Sequence, residues 1–139
     1  RRCEIGGGRG VFASVDLPAG TVVLEEEPLL QVRGHEVQPG ENWHAAVARR
    51  LLQARSNASE ASLAQRLLGT WHPQNLFQLP PGILEEARKS LGSTAAALAK
   101  TQKVDQDEAL VVLLQVQMNA FESGLYVDLA LVNHSCFPN

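Results

Sequence analysis

The chain has 139 residues, of which 45% are hydrophobic and 19% charged, and a formal net charge of −3. This balance excludes a disordered chain and supplies no basic stripe for nucleic acid, Arg49-Arg50 being only a short pair. A single domain of this length buries about two-thirds of its unfolded surface, enough for a true core.

The chain opens on Arg1 and stops after Pro138-Asn139, and both ends read as cut, so a longer protein is expected. No stretch approaches the ~20 apolar residues that span a bilayer, and no signal-peptide pattern opens the chain. The expected location is the nucleus and/or the cytoplasm, with Cys3 and Cys136 as reduced thiols.

In chain order, the first third reads as β. Val11-Phe12-Ala13-Ser14-Val15 is rich in strand formers, Pro18-Ala19-Gly20 signals a turn, and Thr21-Val22-Val23-Leu24 follows. Leu29 to Val32 continues the pattern after Pro28, which belongs at a strand edge or bend. The triplet Glu25-Glu26-Glu27 reads as a solvated strand end.

The middle reads as α. Trp43, Val47, Leu51 and Ala54 share one helical face, and Leu63, Leu67 and Leu68 mark a second amphipathic segment. Gly69 through Gly82 contains Pro73, Pro80 and Pro81 and reads mostly as loop. Ile83 to Leu91 and Thr94 to Lys103 read as two helices. The clearest helix runs from about Asp105 to Asn119, with Leu110, Leu113, Leu114 and Met118 at helical spacing. Asp105, Asp107 and Glu108 in its first turn favour the positive end of its dipole. Gly124 to Val127 then reads as a short strand, and Leu129 to Val132 is apolar. The order β, α, short β implies an α+β domain.

Two clusters carry chemistry. Gly6-Gly7-Gly8-Arg9-Gly10-Val11 is neither a P-loop nor a dinucleotide fingerprint, because no Gly-Lys-Ser/Thr follows and a strand, not a helix, comes next. It is either a flexible loop or a turn that a ligand can approach closely, glycine having no Cβ in the way. At the other end stands Asn133-His134-Ser135-Cys136-Phe137-Pro138-Asn139. His134 and Cys136 lie too close in sequence for a Cys/His hydrolase pair, whose members meet through the fold. As metal ligands they need at least two more donors. His35, His44 and His72 have no ligand spacing and read as surface residues. Tyr126 and Phe121 read as core.

Together these blocks resemble the SET family of protein-lysine methyltransferases. Gly8-Arg9-Gly10-Val11-Phe12-Ala13 with Leu17-Pro18-Ala19-Gly20-Thr21-Val22-Val23 is similar to the family's opening glycine turn and hairpin. Asn119-Ala120-Phe121 is similar to its Asn-X-Phe element, and Leu131 to Asn139 to its signature, the most specific of the three. The long helical stretch resembles the split-SET, SET-and-MYND type. The zinc-binding MYND finger of that type is missing, since no cysteine stands between Val32 and Cys136.

The resemblance implies a SET-type β-fold of short strands with a long inserted helical region. Residues 1–34 would hold the N-terminal strands, 35–118 the insertion and 119–139 the start of the C-terminal half of an incomplete SET domain. It implies S-adenosylmethionine as cofactor, held by Gly8, Arg9, Gly10, Asn119, Val132, Asn133 and His134. Arg9 stands where the split type often has Asn. Backbone groups of Asn133 and His134 would read the adenine. Cys136 matches a cysteine that shares zinc with three downstream cysteines in members with a post-SET segment.

The implied reaction is methyl transfer to a neutral lysine amine of a protein or peptide, histone or not, with neither nucleic acid nor membrane as partner. Positioning and proton removal would carry the catalysis. The family's catalytic tyrosine follows the signature, whereas Tyr126 precedes it. No catalytic residue is therefore assigned, and little activity is expected of these residues alone. The alternative is a SET-derived protein-interaction module that does not catalyse.

Overall fold

Helices form where apolar residues recur at helical spacing behind a local start signal. In the computed structural model, which describes residues 11, 13–121 and 124–132, α1 (Trp43–Ser56) begins at Asn42, whose side-chain oxygen accepts the Ala45 amide at 2.9 Å. Its inner face buries Ala46, Val47, Leu51, Leu52 and Ala54, while Trp43 stays 44% exposed. α2 (Ala61–Thr70) buries Ala64 and Leu67. α3 (Pro81–Gln102) starts with proline at its first position, where the missing N–H has no helical partner to lose.

α4 (Gln106–Asn119) starts at Asp105, which accepts the Asp107 amide at 2.8 Å, with Asp107 and Glu108 in the first turn as expected. It buries Ala109, Leu110 and every residue from Val112 to Val116. Such burial on most sides makes α4 the central helix, packed on α3 and α1. Met118, expected on the inner face, is instead 58% exposed, because the packed part of α4 ends at Val116.

The segments around Ile83 to Leu91 and Thr94 to Lys103 form one helix rather than two. Gly92 and Ser93 carry no break signal strong enough to stop it; a mid-helix glycine costs only about 1 kcal/mol relative to alanine. The helix ends at Lys103, whose left-handed backbone (φ 56°) turns the chain into α4. A Cβ added at Gly92 meets nothing within 4 Å. Gly92→Ala is therefore expected to raise stability by about 0.5–1 kcal/mol in urea unfolding.

The predicted Gly69–Gly82 loop is shorter at both ends, with α2 reaching Thr70 and α3 starting at Pro81, and it contains a 3-10 turn at Leu76–Gln78. Among the described residues three antiparallel strands join the helices: β1 (Leu30–Gln31), β2 (Ala120–Phe121) and β3 (Gly124–Leu125), in the order β1-β3-β2. Leu125 faces both Leu30 and Ala120, and Gly124 faces both Gln31 and Phe121. The four helices thus leave the sheet after β1 and return to it at β2, and the chain is α+β as expected.

The expected first hairpin does not form among the described residues. The turn itself does: the Thr21 amide donates to the Pro18 carbonyl at 3.2 Å, and Gly20 adopts φ +85°. Its flanks carry no strand pairing, and Val15, Val22 and Val23 are 67%, 75% and 73% exposed. A lone two-stranded hairpin is marginal in water without a further strand or helix to cover it. Among the described residues strand formation begins at Leu30, where β3 supplies backbone partners.

Candidate functional site

Of the residues implied for the cofactor, Asn119 and Val132 lie within the described part of the chain. Gly8, Arg9, Gly10, Asn133, His134 and the zinc candidate Cys136 lie outside it, as does Cys3. Asn119 is the last residue of α4, half-buried, and its side-chain amide donates to the Gln115 carbonyl at 2.7 Å. It immediately precedes Ala120, which faces Leu125 across the β2–β3 pair. Asn119 therefore stands beside the strand that leads, seven residues later, to Val132.

β3 is shorter than the expected Gly124–Val127 strand. Crowding at its start is severe: a Cβ on Gly124 would come within 3.0 Å of the Tyr126 ring and 3.2 Å of Pro28 Cβ. A larger residue here would have to push the Tyr126 ring or Pro28 aside by a few tenths of an ångström. After Leu125 the chain turns away, and Leu129–Leu131 forms a 3-10 turn in place of extended chain. The Val132 amide closes that turn on the Leu129 carbonyl at 3.0 Å. Tyr126 is half-buried and meets Phe121 edge to face, with centroids 6.3 Å apart. Phe121 itself is 41% exposed, so it sits at the margin rather than in the core.

Glu26 holds this turn, a role the sequence reading missed. Its carboxylate accepts the amides of Val127 at 2.8 Å, Asp128 at 3.0 Å and Leu129 at 2.8 Å. Glu25 and Glu27 point to solvent while Glu26 is half-buried. Exposure alternates along the triplet, as period-two spacing of side chains would give it. That periodicity was the available signal; a charge run taken as a single solvated end conceals it.

His35, His44 and His72 are exposed, as expected. Among the described residues no group of three His, Cys, Asp or Glu side chains could hold a metal ion, and no helix is long and apolar enough to cross a membrane. Cavities occur in the helical layer. One of about 410 Å³ lies against α2 and α4 beside Arg55, Leu68, Glu108 and Gln115. Another, of about 330 Å³, lies beside Glu41, Arg49 and Thr94. Neither is lined by Asn119 or Val132, and the charged groups in them are already engaged, Arg55 with Glu108 and Arg49 with Glu41.

A family model, SET domain, matches residues 8–139. The chain belongs to the SET-domain family, which is typical of protein-lysine methyltransferases. Neither the curated proteins nor the solved structures gave a match.

Proposed function

We propose that the protein is an S-adenosylmethionine-dependent protein-lysine methyltransferase of the split-SET type, and that these residues form its cofactor-binding part. Residues 1–34 and 119–139 are its SET segments and 35–118 its helical insertion. One observation supports the reading furthest: the β1-β3-β2 sheet pairs Ala120, next to Asn119, with Leu125, seven residues before Val132.

One feature of the described residues supports such a cofactor. The last turn of α4 carries no basic residue. Its negative dipole end therefore favours a cationic group next to Asn119. S-adenosylmethionine, when bound, brings a cationic sulfonium and the transferable methyl group. Gly8 and Gly10 would let the backbone approach it, Arg9 would offer its guanidinium to a carboxylate, and Asn119 with the Val132-Asn133-His134 backbone would orient it. Desolvation of the incoming lysine amine would favour its neutral, nucleophilic form. Cys136 would join zinc only with cysteines from outside these residues. A lysine-bearing protein or peptide is the expected partner, and the nucleus and/or cytoplasm the expected location.

Isothermal titration calorimetry of the protein with S-adenosylmethionine tests the reading. Saturable binding is expected, weakened about tenfold or more, or roughly 1.4 kcal/mol and upward, by Asn133→Ala or Asn119→Ala. Absence of binding to the unsubstituted protein would refute it. Binding without methyl transfer to any of a panel of lysine peptides would favour the non-catalytic module instead.

A further inference from the structure

We infer that Glu26 is a positioning residue for the cofactor segment, an inference that rests on the reading just proposed. The first amides of a helical turn lack partners within it, and here the amides of Val127, Asp128 and Leu129 are consecutive. Glu26 supplies the acceptor for all three, Oε1 taking Val127 at 2.8 Å and Oε2 taking Asp128 at 3.0 Å and Leu129 at 2.8 Å. Hydrogen bonds to an ionised acceptor are about twice as strong as neutral ones.

The same segment is fixed from its other end. The Leu29 amide donates to the Leu125 carbonyl at 2.9 Å, and β1 and β2 flank Leu125 on both sides. Between Leu125 and Val132 the described ties to the rest of the chain are few, and Glu26 provides the three that fix the turn. The Leu129 carbonyl then receives the Val132 amide, one residue before Asn133. Glu26 thus fixes the turn that closes at Val132, the residue before Asn133 in sequence.

A side chain that reads a ligand can adjust its rotamer; backbone groups that read a ligand cannot. Where adenine is read by the backbone of Asn133 and His134, a small displacement of the preceding turn moves donor and acceptor together. Misplacement by about 1 Å is enough to forfeit a large factor in binding or rate. The contact also spans about a hundred positions of sequence, so the N-terminal block reaches the residues just before the signature.

The test measures S-adenosylmethionine affinity and melting temperature together for the full chain, its Glu26→Gln and Glu26→Ala variants, and the controls Glu25→Gln and Glu27→Gln. Gln keeps one acceptor oxygen, so Glu26→Gln is expected to weaken binding about threefold to tenfold, and Glu26→Ala by more than about tenfold. Amide exchange should accelerate at residues 127–129 in both variants and remain unchanged in α1 and α4. The controls should bind as the parent does. Should Glu26→Ala fail to fold, Glu26→Gln alone decides. A lowered melting temperature with an unchanged Kd would mean that Glu26 only stabilises the fold, and would overturn the inference while leaving the cofactor reading intact. No binding by the parent chain would overturn both.

Discussion

Gln115→Glu is expected to destabilise the protein by more than about 3 kcal/mol at pH 7, and the loss should shrink in acid. Gln115 is 2% exposed, and its Nε2 donates to the carbonyls of Pro73 at 2.8 Å, Trp71 at 3.1 Å and Leu68 at 3.3 Å. These carbonyls lie at and just beyond the C-terminus of α2, where a helix leaves acceptors unpaired. Gln74 reaches the same Leu68 and Trp71 carbonyls, whereas Gln115 reaches Pro73 as well. A carboxylate would turn two acceptors toward three.

Its ionised form is disfavoured in the folded state both by burial and by the carbonyls, so its folded pKa rises above the unfolded value of about 4.3. Stability relative to the parent is therefore greatest below that value and is lost as pH rises through the folded pKa. Urea unfolding of parent and variant from pH 4 to pH 8 checks this. Gln115→Leu, which has no charge, should cost about 1–3 kcal/mol with no such dependence. Equal losses for Glu and Leu, flat with pH, would show that the three carbonyl contacts do not govern the site.

Periodicity made the helices legible. α1, α2 and α4 fall where apolar residues repeat, and the acidic start of α4 was visible in Asp105, Asp107 and Glu108. What failed was one boundary: Ile83 to Leu91 and Thr94 to Lys103 were read as two helices but are one, a helix tolerating the glycine between them. The β part was the least legible. β1, β2 and β3 are two residues each, too short for period-two alternation to declare itself, and β1 pairs with β3 across roughly ninety-five positions of sequence. The exposed Val22 and Val23 carry the β propensity that Leu30-Gln31 lacks, yet only the latter finds partners.

The candidate site shows the same division. Asn119 and the signature were recognisable from residue type and order. Gln115 and Glu26 were harder to find, because a glutamine on a buried helix face and the middle glutamate of a triplet act on backbone groups far away in sequence.

Removing the Glu41 carboxylate is expected to cost about 2–3 kcal/mol, more than the loss of any other ion pair among the described residues. Glu41 and Arg49 are 11% and 12% exposed at their side chains, and they meet two-pronged, Nε to Oε1 at 2.9 Å and Nη2 to Oε2 at 3.0 Å. Arg49 Nη2 also donates to the Glu36 carbonyl at 2.6 Å, and Glu41 takes the Gln38 amide at 2.9 Å. The pair thus fastens the turn after β1 to α1, where sheet and helical layer join. Glu41→Ala would leave a guanidinium buried without its counter-charge.

The Arg50–Glu60 pair is more open, at 28% and 31%, and Arg88–Asp107 is open at 56% and 61% with a 3.4 Å separation. Losses should follow that order, the last falling below about 0.5 kcal/mol. Burial pushes the Glu41 carboxyl up, but the Arg49 hydrogen bond, the Gln38 amide and the Arg49 charge outweigh it and hold the group below its ordinary 4.5. The contribution is therefore present above 4.5 and lost as pH falls through the lower folded value. The Arg50 hydrogen bond lowers Glu60 as well, so Glu60→Gln is the necessary reference. A double-mutant cycle of Glu41→Gln and Arg49→Met, run at pH 7 and again in acid, isolates the pair. Its coupling should be clear at pH 7 and fall away in acid; a coupling that is absent at pH 7, or that persists unchanged in acid, would show that the sheet–helix junction is held by packing alone.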